Sequence, residues 1–211
     1  MQKTSIEWTD YSFNPVTGCL QGCSYCYARR LSERFGRSFE PEFHAERLNQ
    51  KFKPNTKVFI CSMGELFGDW VPEIWTQSVL GMVAKWPKTT FQVLTKQPQN
   101  LWKFKFPRNL WVGVSIDKQS RAVSTVFLTD KDVAVKFVSA EPLLEDLVGL
   151  DLRGIDWLII GAQTQPEKQP EASWVKRLLE QADRLKTPVF MKNNLRFDGD
   201  RRHEFPAARR G

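Results

Sequence analysis

The stretch Gly18-Cys19-Leu20-Gln21-Gly22-Cys23-Ser24-Tyr25-Cys26-Tyr27 holds three of the four cysteines in this chain of 211 residues. Thiolates spaced C-x3-C-x2-C on one loop can bind three irons of a cubane iron–sulfur cluster and leave the fourth iron open. Gly18 and Gly22 favour such a loop, because residues without a Cβ let the backbone approach a bulky group closely. The stretch therefore predicts a [4Fe-4S] site with Cys19, Cys23 and Cys26 as its metal ligands.

Two other roles for these cysteines stay open at this point. They would form a structural zinc site if Cys61 or a histidine completed the ligand set, or they would be inert thiols in a reduced protein. Zinc sites usually combine two short hairpins of Cys or His, whereas the two histidines here, His44 and His203, stand far apart in the chain. The spacing therefore favours the iron–sulfur cluster.

Beyond the loop, short apolar runs alternate with amphipathic stretches. Runs rich in β-branched and aromatic residues that lack polar alternation are typical of strands covered on both faces, and their alternation with helices predicts a parallel sheet. The length is enough for one domain with a substantial core. The predicted strands are 57–62, 91–95, 110–115, 135–139, 157–161 and 188–191, and the predicted helices are 28–35, 74–86 and 174–185, with only a short or irregular helix between 115 and 135.

Polar side chains follow each of these predicted strands. In a parallel α/β barrel the carboxyl ends of the strands share one rim, where active sites are assembled from several strands. Each such residue taken singly is also an ordinary turn former or helix cap. The recurrence at six strand ends favours a site, and the residues are Ser62 to Glu65, Thr95 and Lys96, Ser115 and Asp117, Ser139 and Glu141, Gly161 to Thr164, and Lys192 to Asn194.

The cysteine spacing, with an aromatic residue directly before Cys26, resembles the radical S-adenosylmethionine (SAM) superfamily. This resemblance implies an α/β fold of one domain, a TIM-barrel-like partial (β/α) barrel of about six to seven parallel strands. We expect the barrel at 1–195 and a basic tail at 196–211. The resemblance also implies an enzyme whose reduced cluster cleaves SAM to a 5′-deoxyadenosyl radical.

The residues after the predicted strands resemble those of spore photoproduct lyase, a DNA-repair member of the superfamily, and of a small radical SAM-like family encoded by phages and bacteria. The resemblance implies that Cys61 is catalytic, as a hydrogen-atom donor to a product radical. The alternative for Cys61 is a small buried apolar side chain at a strand end. The implied contacts to SAM are Ser62, Glu65, Lys96, Ser115 and Asp117, and Tyr25 is expected to lie against the adenine of SAM because its ring directly precedes a predicted cluster ligand.

The formal charge of +7 favours a polyanionic partner, because Lys and Arg neutralise phosphates. Together with the resemblance it predicts repair or modification of a nucleic acid, most simply DNA, with an electron donor such as flavodoxin or ferredoxin. No apolar run reaches membrane-spanning length, so we expect a cytoplasmic protein without a membrane partner. Two alternatives remain: a metal-stabilised nucleic-acid-binding protein without catalysis, and a radical SAM enzyme that acts on a peptide or small metabolite.

Overall fold

The computed structural model describes residues 2–207. The chain forms two compact units that divide between Trp111 and Val112, and each has its own strands and helices. Strands pair mostly in parallel and alternate with helices, so the fold is α/β. The finer prediction of a partial barrel stays a prediction.

The first unit contains six short strands before the boundary. They are β1 (Gln2–Lys3), β2 (Tyr11–Phe13), β3 (Val16–Thr17), β4 (Glu42–Phe43), β5 (Lys57–Ile60) and β6 (Thr90–Thr95). Strands β2, β5 and β6 lie side by side in parallel, and β1 adds to β2 in the antiparallel sense. Strands β3 and β4 form a separate antiparallel pair. The cysteine stretch lies between β3 and the helix that follows it.

Two α-helices belong to this unit, α1 (Tyr27–Arg34) and α2 (Glu73–Ala84), with 3₁₀ turns at Ala45–Asn49 and Pro98–Lys103. Helix α2 begins directly after Pro72, whose fixed φ suits the start of a helix. The buried ring of Phe52 contacts the rings of Phe13, Phe91 and Trp86, at centroid distances of 5.1, 4.9 and 5.6 Å. These contacts bury one face of β2 and β6 near the end of α2.

The second unit is built on three parallel strands. Strand β7 (Leu110–Ser115) runs across the boundary between the two units. The three strands that follow it are β8 (Val135–Ala140), β9 (Trp157–Ile160) and β10 (Val189–Met191). Strand β9 lies between β8 and β10 and pairs with both in parallel. All four residues of β9 are fully buried, as its uninterrupted apolar run predicts. The helices of the second unit are α3 (Val126–Thr129) and α4 (Ala172–Leu185), with a 3₁₀ stretch at Gln119–Thr125.

The basic segment near the C-terminus packs along β10. Met191 N donates to the Arg202 carbonyl at 2.8 Å, and Glu204 N donates to the Val189 carbonyl at 3.0 Å. The Arg202 guanidinium pairs with Asp183 of α4. Because this segment covers the outer edge of β10, its backbone satisfies that strand's hydrogen bonds. Two further arginines of the predicted tail, Arg209 and Arg210, lie outside the described residues.

All six strands and three helices predicted from apolar runs are present, with ends shifted by a few residues. The link between β7 and β8 holds only short helical segments, as expected. Strands β1 to β4 were not predicted, because segments of two or three residues carry no readable periodicity. Within residues 2–207, no helix combines the length and apolar character that crossing a membrane requires.

Candidate functional site

The start of the cysteine loop is fixed against the end of β5. Gly18 N donates to the Met63 carbonyl at 2.9 Å, and Glu65 N donates to the Gly18 carbonyl at 3.3 Å. Gly18 has a φ of +82°, and a Cβ there would lie 2.1 Å from the Glu40 carbonyl oxygen. Glycine is therefore required at this position, and it brings the cysteine loop beside the residues that follow β5.

The three cysteines of the loop are free thiols of intermediate exposure. Cys19 Sγ accepts a hydrogen bond from Gln21 N, and Cys26 Sγ accepts one from Arg29 N, each at 3.4 Å. Through the second bond Cys26 caps the N-terminus of α1. Burial raises the pKa of Cys19 to about 11, and repulsion from Glu65, Cys23 and Cys26 adds to the shift while the Gln21 bond opposes it. The Cys19 thiol is thus within electrostatic reach of the other two cysteines of the loop.

The donor set fits an iron–sulfur cluster in its chemistry. Within residues 2–207, no group of three or more His, Cys, Asp or Glu side chains is arranged to hold a single metal ion. A four-iron cluster needs a different arrangement, because each thiolate binds a separate iron. Cys19, Cys23 and Cys26 provide three accessible soft ligands on one anchored loop, and amide donors already point at two of the sulfurs. Amide hydrogen bonds of this kind tune cluster thiolates.

Glu65 is a buried carboxyl that joins the ends of β5 and β6. Its Oε1 accepts from Phe67 N at 3.0 Å, and its Oε2 accepts from Lys96 N at 2.9 Å. Burial raises its pKa, while the bonds from Lys96, Phe67 and the Thr95 hydroxyl oppose that shift. Both carboxyl oxygens are thus engaged with the backbone, and the side chain is 5% exposed. Glu65 therefore fixes the backbone at Lys96, and its contact with SAM stays a prediction.

Lys96 and Tyr25, which the sequence assigned separately to SAM, lie together. The Lys96 ammonium is 5.7 Å from the centroid of the Tyr25 ring. Both side chains are of intermediate exposure, so a ligand can reach them. A second contact joins the same two segments, because Gln97 Nε2 donates to Gln21 Oε1 at 2.5 Å. The end of β6 is thereby held against the cysteine loop.

Two residues that sequence reasoning missed hold Ser62. Asn14 Oδ1 accepts from Ser62 Oγ at 3.2 Å and from Met63 N at 2.9 Å. Tyr27 OH donates to the Ser62 carbonyl at 2.5 Å. Asn14 directly follows β2, so it is a polar residue at a strand end like the other predicted site residues. The strand itself is too short to be predicted from the sequence, and Asn14 was therefore missed. Tyr27 gave no signal beyond its place next to Cys26.

Cys61 lies at the end of β5 in a left-handed backbone conformation, with a φ of +59°. Such a conformation in a residue other than glycine costs about 1–3 kcal/mol and is common near functional sites. The side chain is 5% exposed, and burial raises its pKa to about 12, opposed by a backbone hydrogen bond with Val16. The thiol therefore keeps its proton at neutral pH. The burial is the one expected of a small apolar side chain at a strand end, and the role as a hydrogen-atom donor stays a prediction.

Ser115 and Asp117 belong to the second unit, at the end of β7 and just beyond it. Asp117 is 4% exposed, and its Oδ1 pairs with Arg121 Nε at 3.1 Å. Ile116 N, between the two residues, donates to the Ser139 carbonyl of β8 at 2.9 Å. Their contact with SAM stays a prediction.

The second unit also contains a polar row at the ends of β8, β9 and β10. Ala140, Ile160 and Met191 are in register, and the residues that follow them are Glu141, Gly161 and Lys192. The Lys192 ammonium contacts the Glu141 carboxylate. Gly161 leaves room for this pair, since a Cβ there would lie 3.1 Å from carbons of both side chains. The residue types were visible in the sequence, but their pairing was not.

A family model described as "Protein of unknown function (DUF5131)" matches residues 3–209. No curated protein matches, and no solved structure matches. The family match covers nearly the whole chain, including the cysteine loop and the polar strand ends of both units.

Proposed function

We propose that this chain, which belongs to the DUF5131 family, is a radical SAM enzyme that repairs or modifies a nucleic acid. The observation that carries the proposal is the anchored C-x3-C-x2-C loop, which carries three free thiols and is bonded to the segments that follow β5 and β6. Cys19, Cys23 and Cys26 would hold a [4Fe-4S] cluster. A partial (β/α) barrel of the radical SAM type is part of the same proposal.

A bound and reduced cluster would supply the electron that cleaves SAM to a 5′-deoxyadenosyl radical. Lys96 would bind the carboxylate of SAM, because an ammonium forms charge-assisted hydrogen bonds with such a group. The ring of Tyr25, 5.7 Å from that ammonium, would lie against the adenine. Glu65 would keep Lys96 in place through the Lys96 amide, and Asn14 would do the same for Ser62.

Cys61 would quench the product radical by donating a hydrogen atom. Its S–H bond would break homolytically, the carbon radical of the product would gain a C–H bond, and a thiyl radical would remain. The protonated state of the thiol supports this role, since a thiolate has no hydrogen atom to give. Cys61 directly precedes Ser62, which is one of the proposed SAM contacts.

Two features support a nucleic acid as the substrate. The chain carries a formal charge of +7, and four arginines follow the cysteine loop within residues 29–37. Lys and Arg that neutralise phosphates provide affinity that does not depend on base sequence. A small acidic electron donor such as flavodoxin or ferredoxin fits the same surface charge.

The test is anaerobic reconstitution with iron and sulfide. We expect a brown protein with broad visible absorption and equal amounts of bound iron and sulfide. After reduction with dithionite and addition of SAM, 5′-deoxyadenosine should form and should be detectable by mass spectrometry. A colourless protein that binds zinc instead, or a coloured protein that leaves SAM intact under reduction, would contradict the proposed enzyme.

Replacing Lys96 with Met is expected to weaken SAM binding while the cluster absorption stays unchanged. The substitution keeps an apolar stem but removes a charge-assisted hydrogen bond worth about 1.5–3 kcal/mol, or roughly one to two decades in Kd. Isothermal titration of SAM into the reconstituted variant measures the change. Lys105→Met is the matched control, because Lys105 is exposed and outside the site. Equal Kd values for the two variants would remove Lys96 from the SAM site.

A further inference from the structure

The solvent-facing side of α1 combines apolar and cationic side chains. Tyr27, Leu31 and Phe35 follow one another at intervals of four residues, and they are 52%, 39% and 61% exposed. Arg30 and Arg34 lie on the same helical face, because residues three and four apart are neighbours on a helix. Large apolar side chains are therefore exposed on a surface that is also basic.

Arginine dominates the charge of this segment. Residues 27–37 contain four arginines and one glutamate. Arg29 belongs to the cysteine loop, since it donates to the Cys19 carbonyl and lies over the Phe39 ring. Arg37 lies over the exposed ring of Phe35, with its guanidinium carbon 5.7 Å from the ring centroid. We define the α1 surface as Arg30, Leu31, Arg34, Phe35 and Arg37.

We infer that the α1 surface binds single-stranded nucleic acid, an inference that rests on the proposed function and names its substrate class. Single strands present phosphates for arginines and unstacked bases for aromatic rings, which is the combination this surface offers. Paired strands stack their base faces inside the duplex, where Phe35 has no access to them. An exposed phenylalanine beside a guanidinium thus matches single strands better than duplex.

The position of α1 links this surface to the proposed cluster. Cys26 caps the helix through its Sγ, and the next residue, Tyr27, donates from its hydroxyl to the Ser62 carbonyl. The α1 surface therefore continues from a proposed cluster ligand without a break in the chain. A strand held on it has its neighbouring nucleotides next to the cysteine loop.

Fluorescence anisotropy with a labelled 20-nucleotide oligo(dT) tests the inference. We expect binding that weakens as NaCl rises, and weaker binding to a duplex of the same length. Phe35→Ala should raise the Kd for the oligonucleotide roughly 5- to 150-fold, the range found for loss of one base–aromatic stack. The double variant Arg34→Gln/Arg37→Gln should lower the slope of log K against log salt by about 1.4, since each phosphate contact on a single strand contributes about 0.7.

Matched controls come from exposed residues elsewhere in the same unit. Trp102, which is 73% exposed, serves as an aromatic control when replaced with Ala. Arg108→Gln removes one exposed charge outside the α1 surface. Variants of the surface that bind oligo(dT) like these controls would overturn the inference. Stronger binding to a duplex that Phe35→Ala leaves unchanged would also overturn the inference. The absence of oligonucleotide binding at low salt, with binding of an acidic protein instead, would overturn it as well.

The same samples separate this inference from the proposed function. Cluster absorption and 5′-deoxyadenosine formation without any oligonucleotide report on the enzyme alone, and the surface variants should retain both. A protein that forms the cluster and cleaves SAM but does not bind oligo(dT) overturns the α1 inference only. A protein that binds oligo(dT) through Phe35 but forms no cluster supports the surface and contradicts the enzyme.

Discussion

Loss of any one cysteine of the loop is expected to abolish cluster binding and SAM cleavage. Three thiolates must hold three irons, and the fourth cysteine, Cys61, is buried at the end of β5 and cannot substitute for them. Cys19→Ala and Cys23→Ala should therefore lose iron and sulfide after reconstitution. The 5′-deoxyadenosine formed under reduction should fall to the background of a sample without protein.

Cys26 needs a different replacement, because its sulfur also caps α1 through the Arg29 amide. Cys26→Ser keeps a capping oxygen while it removes the soft ligand, so loss of the cluster is not confused with loss of the helix. Cys61→Ala is the control for iron content, and it should retain the full amount. A single-cysteine variant of the loop that keeps wild-type iron and still cleaves SAM would refute the ligand assignment.

Among Gly→Ala substitutions in the first unit, Gly18→Ala is expected to lower the free energy of unfolding the most. The new Cβ would lie 2.1 Å from the Glu40 carbonyl oxygen and within 2.8 Å of the Phe39 oxygen, so the backbone of one segment must move. The φ of +82° adds the cost of a left-handed alanine, about 1–2 kcal/mol. We expect the free energy of unfolding to fall by about 4 kcal/mol or more, which is exceptional for a point substitution.

Gly22→Ala separates the two causes. Gly22 lies in the same loop with a φ of +70°, but a Cβ added there would have no atom within 4 Å among its non-neighbouring residues. Only the backbone cost remains there, so the loss should be about 1–2 kcal/mol. Urea unfolding followed by tryptophan fluorescence gives both values. Equal losses in the two variants would show that Gly18 does not hold the loop against Phe39 and Glu40.

Much of the secondary structure follows from the sequence alone. The apolar runs that become β5 to β10 are long enough to show their pattern, and they are buried as that pattern predicts. Helix α1 follows from the spacing of Leu31 and Phe35, and α2 follows from its start after Pro72. These signals are local, so tertiary contacts are not needed to read them.

The parts of the site that the sequence missed depend on contacts between distant residues. Asn14 binds Ser62 across 48 positions of the chain, and Tyr27 reaches Ser62 across 35. The resemblance assigned Glu65 to SAM, and the structure adds that its two oxygens bind the amides of Phe67 and Lys96. No local pattern tells a ligand-binding carboxylate from one that accepts backbone hydrogen bonds, because the difference lies in which donors the fold brings near it.

The sequence by itself determined the cysteine spacing, the alternation of strands and helices, and the chemistry at the strand ends, since each of these lies within a short segment. Only the tertiary structure decided that Gly18 fixes the cysteine loop beside Met63, that Lys96 lies against Tyr25, and that Glu141 meets Lys192 across Gly161. These contacts join separate segments, and their geometry is set by strand register and by the close approach of backbones that glycine permits.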